Sequence, residues 1–200
     1  MTPSPPDVAL VQAHTLAWLD RIVIGLRLCP FAKAARGHGR TRIVASQASD
    51  PEALIKDLAA EVQHLLRTPA AALETTLLVH PQVLADFAAY NDFLDIADAT
   101  LEALGAEGVL QVASFHPDYQ FAGIAADDIS NATNRSPYPM LQLLREASVG
   151  AALDTLADPA SIYEANIATL RHLGAERWAE LQSVCRRGAL DSLGSTEAGV

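Results

Sequence analysis

The sequence predicts an α/β fold: a small, mostly parallel sheet of about three strands covered by helices, with a helical C-terminal part. Three observations predict it. Short β-branched, apolar runs alternate with longer stretches of helical periodicity. Helix-length segments separate the strand-like runs, which favours parallel neighbours joined by right-handed crossovers. After the third strand-like run, only helical segments follow.

Asp7 is placed to cap a helix that begins at Val8. Val11, Leu19, Ile22, Val23 and Leu26 then recur at helical spacing, and Trp18 widens their apolar stripe. Pro30 disfavours helix at Cys29, so this helix is expected to end near Leu28. Gly37-His38-Gly39 reads as a turn. From Arg40 to Ser46 the pattern alternates, with Arg40 and Arg42 on one side and Thr41 and Ile43 on the other. That is a strand with one wet side, near a sheet edge. Asp50-Pro51-Glu52 starts a helix that runs to about Arg67. Thr75 to Val79 reads as a buried strand ended by His80-Pro81, which also opens the next helix. That helical region reaches Leu104, with a break foreseen at Asn91-Asp92, and stops at Gly105. Val109 to Phe115 is the third strand, ended by His116-Pro117. Asp118 to Ser136 is a long polar connection, read as ordered, in which Tyr119 to Gly123 has the makings of an edge strand. Ser136-Pro137 is expected to cap a helix through about Ala147, and Asp158-Pro159 another through His172. Gly174 then separates a last helix bearing Trp178 and Leu181. Residues 7–187 are expected to form one domain, with 1–6 and 188–200 as flexible termini.

Half the residues are apolar, enough for a buried core, and a charged share of 19% argues against long internal disorder. The net charge of −10 repels nucleic-acid phosphate and anionic membrane, so neither is expected as a partner. Met1 to Pro6 lacks the basic and apolar regions of a signal peptide. Leu16 to Leu28 carries Asp20, Arg21 and Arg27 and is too short to span a bilayer. A cytoplasmic location is the expectation, with Cys29 and Cys185 both reduced.

Parallel strands end on one margin, where open α/β sheets bind ligands. His80 and His116 leave two of those ends, each followed by proline. They are candidate acid–base groups because imidazole titrates near neutral pH. Asp118 is a candidate orienter of an imidazole. Cys29 is a candidate nucleophile, with Lys33 near enough in sequence to stabilise a thiolate. Arg135 offers a planar fork for carboxylate or phosphate, Asn134 a group to orient a ligand oxygen, and Ser136 a helix start that attracts anions. Tyr119 and Tyr138 bracket this segment. For each group there is also a plain structural role: capping, core packing or surface solvation.

Several strings resemble one bacterial family, catalogued as domain of unknown function 1415. They are Leu28-Cys29-Pro30-Phe31-Ala32-Lys33, Thr76-Leu77-Leu78-Val79-His80-Pro81 and Tyr90-Asn91-Asp92-Phe93-Leu94. Two more are Gln111 to Phe121, containing Phe115-His116-Pro117-Asp118-Tyr119, and Asn134-Arg135-Ser136-Pro137-Tyr138-Pro139-Met140. The resemblance covers roughly residues 10 to 180. It implies a cytoplasmic bacterial protein and supplies neither an activity nor a catalytic residue.

Three functional expectations follow from the residues. The first is an enzyme acting on a small anionic metabolite through a His/Cys/Arg site at the strand C-terminal margin. The second is a metal-binding protein using His80 and His116 with Asp118 or Cys29. The third is a non-catalytic module for a ligand or protein partner, with the apolar helices after Ala147 suited to a homo-oligomer face. No cofactor is indicated. The enzyme reading requires the two imidazoles and the guanidinium to share one hollow, with Cys29 as nucleophile if it lies on the same margin.

Overall fold

The computed structural model describes residues 7–154 and 160–197. Asp7 caps α1 (Val8–Trp18), its carboxylate accepting the Ala9 N–H at 2.8 Å. A π-helical segment, Leu19–Ile24, continues α1. The chain then reverses before Leu28, earlier than the proline alone suggests. Arg27 adopts φ 59°, and the Leu28 N–H returns to the Val23 carbonyl at 2.9 Å, a left-handed helix cap. Gly25 is required here for a steric reason. A Cβ at this position would lie 2.2 Å from the Arg21 carbonyl oxygen. Gly25→Ala is expected to cost about 1–3 kcal/mol through this overlap. Gly37→Ala, where a Cβ meets nothing within 4 Å, is the control. Urea midpoints of the two variants check the difference.

A short helix, α2 (Ala32–Gly37), precedes β1 (Thr41–Ala45). Asp50 and Pro51 start α3 (Pro51–Arg67) as their chemistry dictates, with Asp50 accepting from Ala53 N–H at 2.8 Å. Then come β2 (Thr75–Val79), α4 (Phe87–Ala103), β3 (Leu110–Phe115), a 3-10 segment (Ile129–Asn134) and β4 (Met140–Arg145). The chain ends in α5 (Glu146–Leu153) and the long α6 (Ala160–Glu197), kinked at Gly174 with φ 76°.

The α/β class and the helical C-terminal part are as expected; the sheet differs. It has four strands in the order β1-β2-β4-β3 and is mixed. β1 pairs parallel with β2, as a helical crossover demands, and β1 lies at an edge. β4 enters antiparallel between β2 and β3. Met140-Leu141-Gln142-Leu143-Leu144-Arg145 is therefore a strand, not the helix foreseen after Ser136-Pro137. Its Leu, Met and Gln residues favour helix in isolation, but two flanking strands offer it both ladders, and burial against both faces decides. Two other local expectations change. α4 starts at Phe87, capped by Asp86 (Ala89 N–H to carboxylate, 2.9 Å), not at Pro81, and it runs unbroken through Asn91-Asp92. Tyr119 to Gly123 is irregular chain that turns at Ala122-Gly123, not a strand. The helix start at Asp158-Pro159 lies outside the described residues. α6 continues past Gly188, beyond the boundary expected at Arg187.

Alternation along the strands divides the core in two. Leu78, Leu141 and Leu143 face α3 and α4 and pack with Leu54, Leu58, Tyr90 and Phe93. Leu77, Val79 and Met140 face the other way, against α1, the π segment and α6, with Val11, Trp18, Ile22 and Leu170. Among the described residues, no helix is long and apolar enough to cross a membrane.

Candidate functional site

The strand order sets what each margin of the sheet can hold. β2 and β3 run in the same direction, so His80 and His116 do leave the same margin, beside the start of β4. One intervening strand separates them, and Tyr90 of α4 fills the gap. His80 stacks on Tyr90 with ring centroids 5.9 Å apart and planes 18° apart; His116 lies 5.1 Å from the same ring and 5.3 Å from Phe87. Both imidazoles have no solvent exposure.

Their hydrogen bonds come from the bent segment before α4. His80 Nδ1 donates to the Val83 carbonyl at 3.0 Å, and His116 Nε2 to the Leu84 carbonyl at 3.2 Å. Leu84 holds φ 59°, a costly conformation for leucine that aims its carbonyl at His116. His116 Nδ1 accepts the Asp118 N–H at 3.0 Å, which assigns the tautomer. His116 is thus satisfied at both nitrogens, while His80 Nε2 is buried without a partner among the described residues. Burial lowers the pKa of both. For His80 the fall is to about 4, opposed by the bond to Val83 and reinforced by repulsion from His116.

The remaining residues expected at this margin serve the loop itself. The side chain of Asp118 is exposed, and its backbone rather than its carboxylate meets the imidazole. Arg135 donates to the Tyr119 and Ala126 carbonyls at 3.2 and 2.7 Å, and its own carbonyl accepts from Trp18. Asn134 donates to the Ser114 carbonyl, and the Ser136 hydroxyl to the Tyr138 carbonyl. The Tyr119 hydroxyl lies 3.4 Å from Ser114 Oγ, and that of Tyr138 3.2 Å from His14 Nδ1. These contacts pin residues 116–138 to the sheet and to α1. They leave the Arg135 guanidinium occupied by main chain.

Cys29 is elsewhere. It lines a cavity of about 410 Å³ with Thr75, Leu144 and Arg145, where β1 and β2 begin and β4 ends. Thr75 opens β2 and His80 follows its last residue, roughly 16 Å away at the usual rise per residue. The expected union of thiol and imidazoles therefore fails, because β2 carries the histidine out at one end and packs near the cysteine at the other. Lys33 is exposed on α2 and does not line the cavity. The proposed metal set also fails to assemble: among the described residues, no three His, Cys, Asp or Glu side chains could hold one ion.

The cavity has walls from Phe31, Leu144, Val149 and Ala152, with α5 on one side. α5 is almost wholly apolar, yet none of its residues is buried. Arg40, Glu74, Gln142 and Arg145 supply polar groups. Arg145 is committed to the Leu73 carbonyl at 3.1 Å and to the carbonyls of Leu65 and Thr68 at the end of α3. Burial raises the Cys29 thiol, against weaker opposing hydrogen bonds from the Phe31 and Ala32 backbone, so it is protonated at neutral pH. Gln142 and Arg145 were not legible as site residues because their segment reads as helix. Arg40 carried a signal only as the polar side of an alternating strand. A second hollow has the opposite sign: Asp95, Asp98, Glu102, Glu107 and Glu146 line it, with no basic side chain among the described residues that form its wall.

Residues 10–180 match the family model described as "Protein of unknown function (DUF1415)". No curated protein and no solved structure matches the chain.

Proposed function

Because the chain belongs to that family of unknown function, we propose its function from its own geometry: it binds a small molecule with an apolar body and an anionic head in the cavity beside Cys29. The cavity itself carries this reading. Its volume of about 410 Å³ suits a metabolite, and its walls are mainly apolar with a few polar groups. Two guanidiniums and one carboxylate line it in a chain of net charge −10, so it is a locally cationic place on an acidic protein.

The reading is one of binding, not of histidine–thiol catalysis. A protonated Cys29 with no imidazole among the lining residues lacks a base to activate it. The two histidines are fully buried against Tyr90, out of reach of a substrate.

Isothermal titration with 4-methylpentanoate tests the proposal. A ligand of eight heavy atoms held by apolar contact and one guanidinium is expected to bind with Kd of about 0.1–1 mM. Val149→Trp, which fills the space from α5, is expected to abolish that binding while the far-ultraviolet circular dichroism stays unchanged. Unaltered affinity in a folded Val149→Trp variant defeats the assignment of the cavity.

A further inference from the structure

We infer that the ligand of this cavity is a zwitterion, an α-amino acid with an apolar side chain, its carboxylate on Arg40 and its ammonium on Glu74. The inference rests on the binding reading above and narrows its chemistry.

Arg40 and Glu74 stand side by side just before β1 and β2. The Arg40 carbonyl accepts the N–H of Glu74 at 2.8 Å and of Thr75 at 3.3 Å, so the backbone holds the two side chains as neighbours. Their own contact is poor: one long approach, Arg40 Nη1 to Glu74 Oε2, at 3.5 Å. Arg40 Nη2 lies 3.5 Å from His38 Nδ1, another long contact. Among the described residues, Arg40 Nε and Glu74 Oε1 are buried with no partner.

The same residue pair occurs two positions along β1 in a different state. Arg42 meets Glu61 through two bonds, Nε to Oε2 at 2.9 Å and Nη2 to Oε1 at 3.2 Å. That pair is saturated, as arginine and carboxylate are when they face each other squarely. The Arg40–Glu74 pair keeps one donor edge and one acceptor in reserve, and it does so beside the cavity. An unsatisfied buried polar group destabilises the empty protein, and a ligand that satisfies it relieves that cost. Arg145 does not compete for the head group, since main-chain carbonyls occupy it.

A group that satisfies both residues must offer an acceptor to the guanidinium and a cationic donor to the carboxylate, a short distance apart. An α-amino acid carries both on one carbon. A simple carboxylic acid serves Arg40 but leaves Glu74 Oε1 unpaired and adds a like charge beside it. A simple amine serves Glu74 and leaves Arg40 Nε unpaired. The apolar walls at Phe31, Leu144 and Val149 then receive the side chain.

Calorimetric titration of the full chain with L-leucine, 4-methylpentanoate and 3-methylbutylamine tests this. The three share a skeleton and differ only in the charged groups. L-leucine is expected to bind at least about tenfold tighter than either, the worth of one further charge-assisted hydrogen bond. Glu74→Gln is expected to erase the advantage of leucine over 4-methylpentanoate while the acid itself still binds. If 4-methylpentanoate equals leucine in the wild-type chain, the zwitterion is wrong and the anion-binding reading stands. If none of the three binds, both are wrong. Should leucine keep its advantage in Glu74→Gln, the ammonium is not on Glu74. The wild-type comparison decides the main question whether or not the variant folds.

Discussion

Replacing Tyr90 by phenylalanine is expected to lower stability by about 2–4 kcal/mol, although the ring, the volume and the helix are all retained. The hydroxyl is the reason. It donates to the Met140 carbonyl at 2.8 Å and accepts the Phe115 N–H at 2.9 Å, so it bridges β3 and β4 at the end of their ladder. Tyr90 and Met140 are both fully buried. Deleting one oxygen therefore leaves a carbonyl and an amide without this partner where water does not reach. Burial raises the phenol well above its ordinary range, so it stays protonated and able to donate. Urea denaturation measures the loss, and hydrogen exchange at the Phe115 amide localises it. Stability unchanged within about 0.5 kcal/mol is the outcome that rejects the bridge.

Acidification is expected to remove about 3 kcal/mol between pH 6.5 and pH 4 through His80 alone, the value implied by its lowered pKa. The sign follows from where the proton binds. In the folded chain the imidazole titrates near 4; in the unfolded chain it titrates near the ordinary 6.5. Between these values the unfolded chain takes up a proton that the native chain refuses. The stabilisation is complete above pH 6.5, declines as pH falls, and changes no further below about 4. The structural cause is a fully buried ring whose Nε2 lacks a partner and whose neighbour His116 repels a second charge. In His80→Gln, stability is expected to fall less steeply over the same interval. The gap between wild type and variant should then narrow by about 3 kcal/mol from pH 7 to pH 4, read from urea midpoints. Parallel pH profiles for the two proteins count against the assignment.

Much of the fold was legible in the chain because local chemistry specified it. Asp7 and Asp50 act where they stand, through capping bonds to residues two or three positions away, and Pro51 through its fixed φ at the first helical position. Thr75 to Val79 could hardly be anything but a buried strand, and all five of its residues are buried. That His80 and His116 leave one margin also followed from element order, since a helical connection after β2 and the shared direction of β3 place both ends together.

What lay beyond sequence reasoning depends on groups far apart in the chain. Met140 to Arg145 has the side chains of a helix, and only the open ladders of β2 and β3 make it a strand. That strand separates the two histidines and admits Tyr90 between them. The sheet likewise puts Cys29 at the margin opposite the imidazoles, and sets Arg40, Glu74 and Arg145 around one cavity. The sequence by itself determined the helix starts at Asp7 and Asp50, the three strands β1, β2 and β3, and the family. Tertiary structure alone decided which polar groups meet, because that depends on strand order, which no local interaction encodes.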